Sequence, residues 1–257
     1  MSLLSNKTIL LTGIASNRSI AYYIGKACIS NGATLIITYP NDRMKERVLK
    51  LCQEWPNVHF LPCDVAEDSS INALAHSIGQ LNLNLDGLVH AIAYADRDQI
   101  QGDFVEHIKR EGFLEAMNIS AYSLPALCQA LRPLMNPNSS VCALSFIGAQ
   151  LATPNYNVMG VAKAALESAM RYCARDLGQD HIRVNAISAG PIRTLAASGI
   201  QGFKEMLQRD ADLTPLAGNT EPAEVANHCA FLMSDLSQGM TGQVMYVDHG
   251  YHITAAI

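Results

Sequence analysis

Short runs of β-branched and aliphatic residues recur along this chain, separated by segments whose apolar positions repeat every three to four residues. That alternation commits a chain to a parallel sheet, because parallel neighbours need a crossover long enough to hold a helix. The expected strands are Thr8–Thr12, Thr34–Tyr39, Val58–Pro62, Gly87–Ile92, Ser140–Phe146, Arg183–Ser188 and Val244–Val247. A first helix is expected from near Ser19 to Asn31-Gly32, where glycine tolerates the left-handed cap. Further helical patterns lie near 68–81, 119–135, 157–177 and 221–234. Strands this uniformly apolar suit a sheet covered on both faces, which makes the expected fold α/β, a three-layer doubly wound parallel sheet of about seven strands. No linker, repeat or low-complexity tract interrupts the 257 residues, so 1–257 reads as one domain.

Composition narrows the function classes. Hydrophobic residues make up 49% and charged residues 16%, which excludes intrinsic disorder and agrees with surface buried against copies of the chain. The net charge is −5 with no Lys/Arg-rich run, so no nucleic-acid partner is expected. The start, MSLLSNKTILLTG, lacks a basic leader and a small-residue cleavage pattern, and its apolar run flows straight into a glycine turn. No stretch approaches the roughly 18 apolar residues of a membrane span. Seven cysteines without C-x-x-C read as buried free thiols in a reducing cytoplasm. Eight histidines without H-E-x-x-H suggest no metal site.

Sheets of this kind bind ligands beyond the carboxyl ends of their strands, where the topology reverses. Strand one runs into Gly13-Ile14-Ala15-Ser16-Asn17-Arg18-Ser19-Ile20-Ala21. Gly13 permits a sharp turn and close backbone approach to a phosphate, and Ser19 is placed to cap a helix whose N-terminus attracts pyrophosphate. Only one glycine of G-x-G-x-x-G remains, so the corner alone is equally a plain strand–turn–helix. Three other edges add weight. Cys63-Asp64-Val65 offers a carboxylate to an adenine amino group, although such an Asp is often a turn residue. Ala91-Ile92-Ala93 leaves room for a ribose. Ser188-Ala189-Gly190-Pro191-Ile192-Arg193-Thr194 could close over a nicotinamide amide. Together they indicate a Rossmann-type dinucleotide site. Strand two ends Tyr39-Pro40-Asn41-Asp42-Arg43, with no acid at its tip and no tight basic cluster, which favours NADH and leaves NADPH open.

Tyr156 and Lys163 lie on the helix after strand five. Seven residues are nearly two turns, a rise of about 10 Å, and helical side chains lean toward the N-terminus, so the lysine reaches back toward the phenol. An ammonium could then hold a cofactor ribose while the phenol meets a substrate carbonyl oxygen. An aromatic near a helix start with an unrelated surface lysine would give the same spacing. Many short-chain dehydrogenases place Tyr and Lys four apart, whereas Met159 stands four before Lys163 here.

These blocks resemble the bacterial enoyl-(acyl carrier protein) reductases of the short-chain dehydrogenase/reductase superfamily. The resemblance runs nearly the whole chain and rests on Thr12-Gly13 through Ser19-Ile20-Ala21, Cys63 through Asp68, Pro154-Asn155-Tyr156-Asn157-Val158-Met159-Gly160 with Ala162-Lys163, and Arg183 through Ala196. It implies a single NAD-binding domain that reduces trans-2-enoyl thioesters carried on acyl carrier protein, the last step of each fatty-acid elongation cycle, in a cytoplasmic homotetramer. It implies Tyr156 as hydrogen-bond donor to the thioester oxyanion and Lys163 as holder of the ribose. Cofactor contacts carry over to Gly13, Ser19, Ile20, Asp64, Val65, Ile92, Lys163, Ile192, Arg193, Thr194, Leu195 and Ala196. Ala95, Phe146 and Tyr156 border the substrate, and 194–202 matches a segment that orders over ligand. Phe146 departs from a second active-site tyrosine found in many members, although a mycobacterial long-chain branch also carries Phe. Ala91 and Ala93 replace Ser and Gly, Pro40 replaces a polar residue, and His249 breaks an Asp-Gly-Gly. These departures keep two alternatives open: a carbonyl or alcohol oxidoreductase on the same scaffold, and a nucleotide-binding paralogue with weak chemistry.

Overall fold

The computed structural model describes residues 2–195, 197 and 202–254. Seven parallel strands form one sheet in the order β3-β2-β1-β4-β5-β6-β7: β1 Thr8–Leu11, β2 Thr34–Tyr39, β3 Val58–Pro62, β4 Leu85–His90, β5 Met135–Phe146, β6 Arg183–Ala189 and β7 Val244–Val247. The expected doubly wound sheet is present, and β2, β3 and β7 have the expected bounds. β4 lies two residues earlier than expected, so Ala91-Ile92-Ala93 follows the strand instead of ending it. The start of β5 extends back to Met135 through a register shift against β4 between Leu85 and Gly87.

Alternate strand residues feed two cores, as the pleat requires. Ile9, Leu11, Leu35, Ile37, Cys142, Leu144 and Ile187 point to one face. There they meet α1 (Ile20–Ser30), α2 (Asp42–Cys52) and α9 (Pro222–Met233), through residues such as Ile24, Val48 and Val225. Leu10, Ile36, Leu88, Val141, Ala143, Val184 and Ala186 point to the other. This second face is covered by α3 (Asp68–Gln80), α6 (Ser123–Leu131) and α7 (Val158–Leu177), through Ile71, Leu127 and Leu166. Each fully buried Leu or Ile contributes about 1.5–3 kcal/mol, so two such layers fix every strand's register.

The remaining helices are α4 (Phe104–His107), α5 (Arg110–Met117) and α8 (Phe203–Leu213). These three and α2 are unforeseen, because they are short and mostly polar and periodicity marks them weakly. Asn41 caps α2, its Oδ1 accepting from Met44 N at 3.1 Å. The expected helix over 119–135 is α6 preceded by a π-helical turn at Asn118–Tyr122. Six cysteines are buried, Cys173 is partly exposed, and all seven are free thiols. Among the described residues no helix is long and apolar enough to cross a membrane, and no cluster of His, Cys, Asp and Glu could hold a metal ion.

Candidate active site

Parallel strands bring all their carboxyl ends to one rim, and the strand order reverses between β1 and β4. At that point Thr12 Oγ1 donates to Val89 O at 3.0 Å and accepts from Ala91 N at 3.1 Å, sewing the β1 loop to the β4 edge. Gly13 adopts φ +88°, and a Cβ there would lie 2.0 Å from Ala91 O. Only glycine fits, which leaves an open backbone corner beneath the N-terminus of α1. Ser19 occupies the cap position of α1, but its hydroxyl makes no cap bond. It turns back and accepts from Ala15 N and Ser16 N at 3.1 and 2.9 Å, so its role is to shape the loop. Ile20 follows as the first helical residue.

Asp64 is exposed past β3, one oxygen accepting from Ala66 N at 3.0 Å, while Val65 is buried. The turn reading of Asp64 therefore holds alongside any ligand role. Ile92 packs on the second core just past β4. Beyond β6, Ile192 is buried, Arg193 is exposed, and Thr194 Oγ1 accepts from Ala197 N at 3.0 Å. Leu195 is 41% exposed, and Ala196 lies outside the described residues, as does much of the 194–202 segment. A cavity of about 310 Å³ lies between the β1 and β6 loops, lined by Arg18, Ile192, Arg193 and Thr220 among others. A larger cleft of about 550 Å³, beside Arg132, Met135 and His181, sits at the starts of β5 and β6, away from this rim.

Lys163 lies in the buried stripe of α7, among Met159, Ala162, Leu166 and Met170. Its Nζ donates to Leu144 O on β5 at 2.6 Å. Burial lowers its ammonium to about 8, partly opposed by the charge of Glu167 one turn along the same stripe. The Glu167 carboxylate, itself buried, accepts from Ser145 Oγ at 2.6 Å. That bond commits the Ser145 hydroxyl proton to Glu167. His90 is buried at the end of β4, and burial with the nearby Lys163 charge drives its imidazole down to about 3, so it is neutral. Its Nε2 meets Ser123 Oγ at 2.7 Å, while Nδ1 has no partner among the described residues.

Tyr156, expected on the same helix as Lys163, lies instead in the turn just before α7, because Asn157, at φ +42° and ψ −118°, breaks the helical backbone between them. Its ring meets Phe146 edge-on, centroids 4.9 Å apart at 64°, and packs on a small apolar cluster of Ile100, Val158 and Met159 that also takes in Ala95. A Cβ on Gly148 would lie 2.5 Å from Tyr156 Cδ1, so glycine is required beneath the ring. Burial raises the phenol well above its ordinary value, which keeps it protonated and a hydrogen-bond donor.

Tyr156, Phe146, Ala95 and Lys163 are thus gathered on one side of the rim, and Gly13, Ser19 and Ile20 on the other. Sequence reading missed His90, Glu167, Gly148 and the roles of Asn155 and Asn157. His249 adopts φ +56°, with Nδ1 against Leu216 O at 2.9 Å and Nε2 against Glu224 at 2.9 Å, so it braces the loop after α8.

A dinucleotide fits these residues on two structural grounds. The Gly13 corner admits no Cβ, and the buried Lys163 ammonium has three donors of which the strand carbonyl takes one.

Residues 13–252 match the family model described as Enoyl-(Acyl carrier protein) reductase. The chain is similar to the Neisseria meningitidis NADH-dependent enoyl-acyl-carrier-protein reductase FabI, with 51% identity over 256 residues, 99% of this chain and 98% of that relative. It is 49% identical to the Salmonella typhimurium FabI over 255 residues, covering 99% and 97%. The Bacillus cereus enoyl-acyl carrier protein reductase, solved with NADP+ and indole naphthyridinone, superposes with a TM-score of 0.96 at 43% identity and full coverage of both chains. The Anaplasma phagocytophilum enzyme, solved with NAD, gives 0.95 at 39% identity, covering 99% and 97%.

Proposed function

The chain belongs to the enoyl-(acyl carrier protein) reductase family, and from that premise we propose that Tyr156 and Lys163 carry its reaction, the phenol at the thioester oxygen and the ammonium at the cofactor ribose. The enzyme is an NADH-dependent oxidoreductase that reduces trans-2-enoyl thioesters to saturated acyl thioesters in fatty acid biosynthesis. The observation that carries the assignment of roles is the end of β5. There the protonated phenol, from the turn before α7, packs against Phe146, and the buried ammonium, from α7 itself, donates to Leu144 O.

Bound NADH supplies the hydride that the double bond receives. The chain's own residues bind, orient and polarise. Gly13, Ser19 and Ile20 shape the corner for the pyrophosphate, and Asp64 with Val65 borders the adenine. Ile92 would border the ribose, and Ile192, Arg193, Thr194 and Leu195 would border the nicotinamide, Ala196 lying outside the described residues. Ala95 and Phe146 border the acyl chain. Tyr156 donates a hydrogen bond to the thioester oxygen, strongest where negative charge gathers as the β-carbon is reduced. Its neutral state supports that role, because a phenolate would repel the oxyanion. Lys163 offers its two remaining donors to ribose hydroxyls while Leu144 O fixes its position. Near the adenosine end, Asn41 is committed to capping α2 and Lys45 lies over the Tyr39 ring at 5.9 Å, which supports NADH over NADPH.

The substrate is delivered as the acyl carrier protein thioester. A cytoplasmic homotetramer of single-domain subunits, residues 1–257, completes the reading. Leu114, Tyr122, Val161 and Tyr172 remain exposed on the isolated chain, as residues of an assembly interface would.

The test is oxidation of NADH and NADPH with enoyl thioesters of graded length, comparing wild type with Tyr156→Phe, Lys163→Ala and Phe146→Tyr. Tyr156→Phe is expected to lower kcat about 100-fold, the scale for one oxyanion donor. Lys163→Ala is expected to weaken NADH binding most. Unchanged NADH affinity and turnover in Lys163→Ala would contradict the ribose role.

A further inference from the structure

Tyr156 is flanked by two asparagines in backbone conformations that side chains rarely adopt. Asn155 has φ +60°, and Asn157, the last residue before α7, has φ +42° with ψ −118°. Two such residues astride one tyrosine persist only where the surroundings over-determine them. Here the surroundings are a single short backbone stretch. Gly102 N donates to Asn155 Oδ1 at 3.0 Å. Asn157 Nδ2 donates to Gly102 O at 3.2 Å and to Gln101 O at 3.4 Å. One asparagine accepts from this stretch and the other donates to it, with the phenol between them in sequence.

The stretch they grip is itself rigid. Gln99 is 2% exposed, its Nε2 donating to His107 O at 3.1 Å and its Oε1 accepting from Lys109 N at 3.0 Å. Gly112 of α5 lies against Gln99, where a Cβ would come within 2.7 Å of its side chain. Ile100 is buried in the cluster that supports the Tyr156 ring and Ala95. Residues 99–102 therefore form a shelf that contacts the phenol ring from below through Ile100 and the turn around it through the two asparagines.

We propose that Asn155 and Asn157 are positioning residues that clamp the Tyr156 turn to the 99–102 shelf, holding the phenol where its hydroxyl meets the thioester oxygen; this rests on the role given above to Tyr156. Both act through Tyr156 and neither touches substrate. The clamp explains why the strained turn is kept, since relaxing Asn157 into the helix would rotate the tyrosine away from Phe146. It also explains the residue type at 157, because asparagine tolerates positive φ and brings the donor that two backbone carbonyls require.

The experiment uses the full-length protein with NADH and an enoyl thioester. Asn157→Gly keeps the backbone conformation and removes the side chain. Asn157→Asp keeps the size and the tolerance of positive φ but turns a donor into an acceptor facing two carbonyl oxygens. Each is expected to lower kcat about tenfold to 100-fold, the scale of a displaced reacting group, with NADH dissociation constant and melting temperature close to wild type. In a Tyr156→Phe background neither substitution is expected to lower kcat further. If one variant fails to fold, Asn155→Gly is read in its place, with the same expected loss of kcat. Wild-type kcat in the folded variants while Tyr156→Phe is impaired would overturn the clamp and leave the role of Tyr156 standing. So would a loss that adds fully to Tyr156→Phe or that tracks NADH affinity. Full activity of Tyr156→Phe would instead overturn the Tyr156 role, and the clamp with it.

Discussion

Replacing Gly148 by alanine displaces the phenol without touching a polar atom. The new Cβ would lie 2.5 Å from Tyr156 Cδ1, 2.9 Å from Cε1 and 3.1 Å from Phe146 Cδ1. Carbon atoms rest at about 3.5–4.0 Å, so the Tyr156 ring must retreat by about 1 Å. Retreat presses it on the Ile100, Val158 and Met159 cluster, which is already packed. A displacement of about 1 Å at a reacting group costs about 100-fold in rate, or about 3 kcal/mol of transition-state stabilisation. Overpacking should also lower stability by about 1–3 kcal/mol. The loss belongs in kcat with enoyl thioester, followed as NADH oxidation. NADH affinity should change by less than about threefold, because Lys163 is held to Leu144 on the strand. Gly178→Ala is the control, since nothing lies within 4 Å of a Cβ there and its backbone, at φ −58°, suits alanine. A folded Gly148→Ala enzyme with wild-type kcat would refute the steric reasoning and with it the claim that the phenol must sit where the structure has it.

Two further outcomes are expected. Gly13→Ala combines φ +88° with a Cβ 2.0 Å from Ala91 O, so it should abolish measurable NADH binding and lower the melting temperature; calorimetric titration and thermal melting read both. The Lys163 ammonium, lowered to about 8 from 10.5, should lose its proton as pH rises, so NADH affinity should fall above about pH 8, and Glu167→Gln should move that break to lower pH. The sign for stability is opposite: with a folded value below the unfolded one, the unfolded chain holds more protons across that window, so this lysine makes the fold gain about 3 kcal/mol between about pH 8 and about pH 10.5. Fluorescence titration of NADH binding across that range checks the first claim, and an NADH affinity independent of pH would contradict it.

The parts of the site legible in sequence are those set by local geometry. Gly13 after a strand and Asp64 past another are spacings that a strand converts directly into position, and the buried stripe of α7 holds Lys163, whereas the helix expected to carry Tyr156 begins only at Val158. Glu167 was equally within reach, since it continues the buried stripe that holds Lys163, and a second charge in such a stripe signals a partner. His90 closes a strand that is apolar from Gly87 onward and carries a similar, weaker signal. The contacts of Asn155 and Asn157 were not legible, because Gln101 and Gly102 lie more than fifty residues away and only the folded chain brings them together. Ser19 escaped for a local reason: its type suited a cap, but the loop before it folds back so that the hydroxyl oxygen accepts from Ala15 N and Ser16 N instead. The helices α2, α5 and α8 escaped because tertiary packing, more than periodicity, stabilises short polar helices.

The two side chains to which the reaction is assigned in the proposal take their bearings from different parts of the molecule. Lys163 is registered to Leu144, whose strand is hydrogen-bonded to β6 with Leu144 opposite Ile187, deep in the twice-covered sheet. Tyr156 is registered to a peripheral loop and two asparagines outside the sheet. Divergence can therefore retune the acyl end, through insertions or exchanges near residue 100, without re-engineering how the dinucleotide is grasped. A lineage that changed its preferred chain length would be expected to leave its record in that outer loop and to keep the β5 backbone carbonyl where it is.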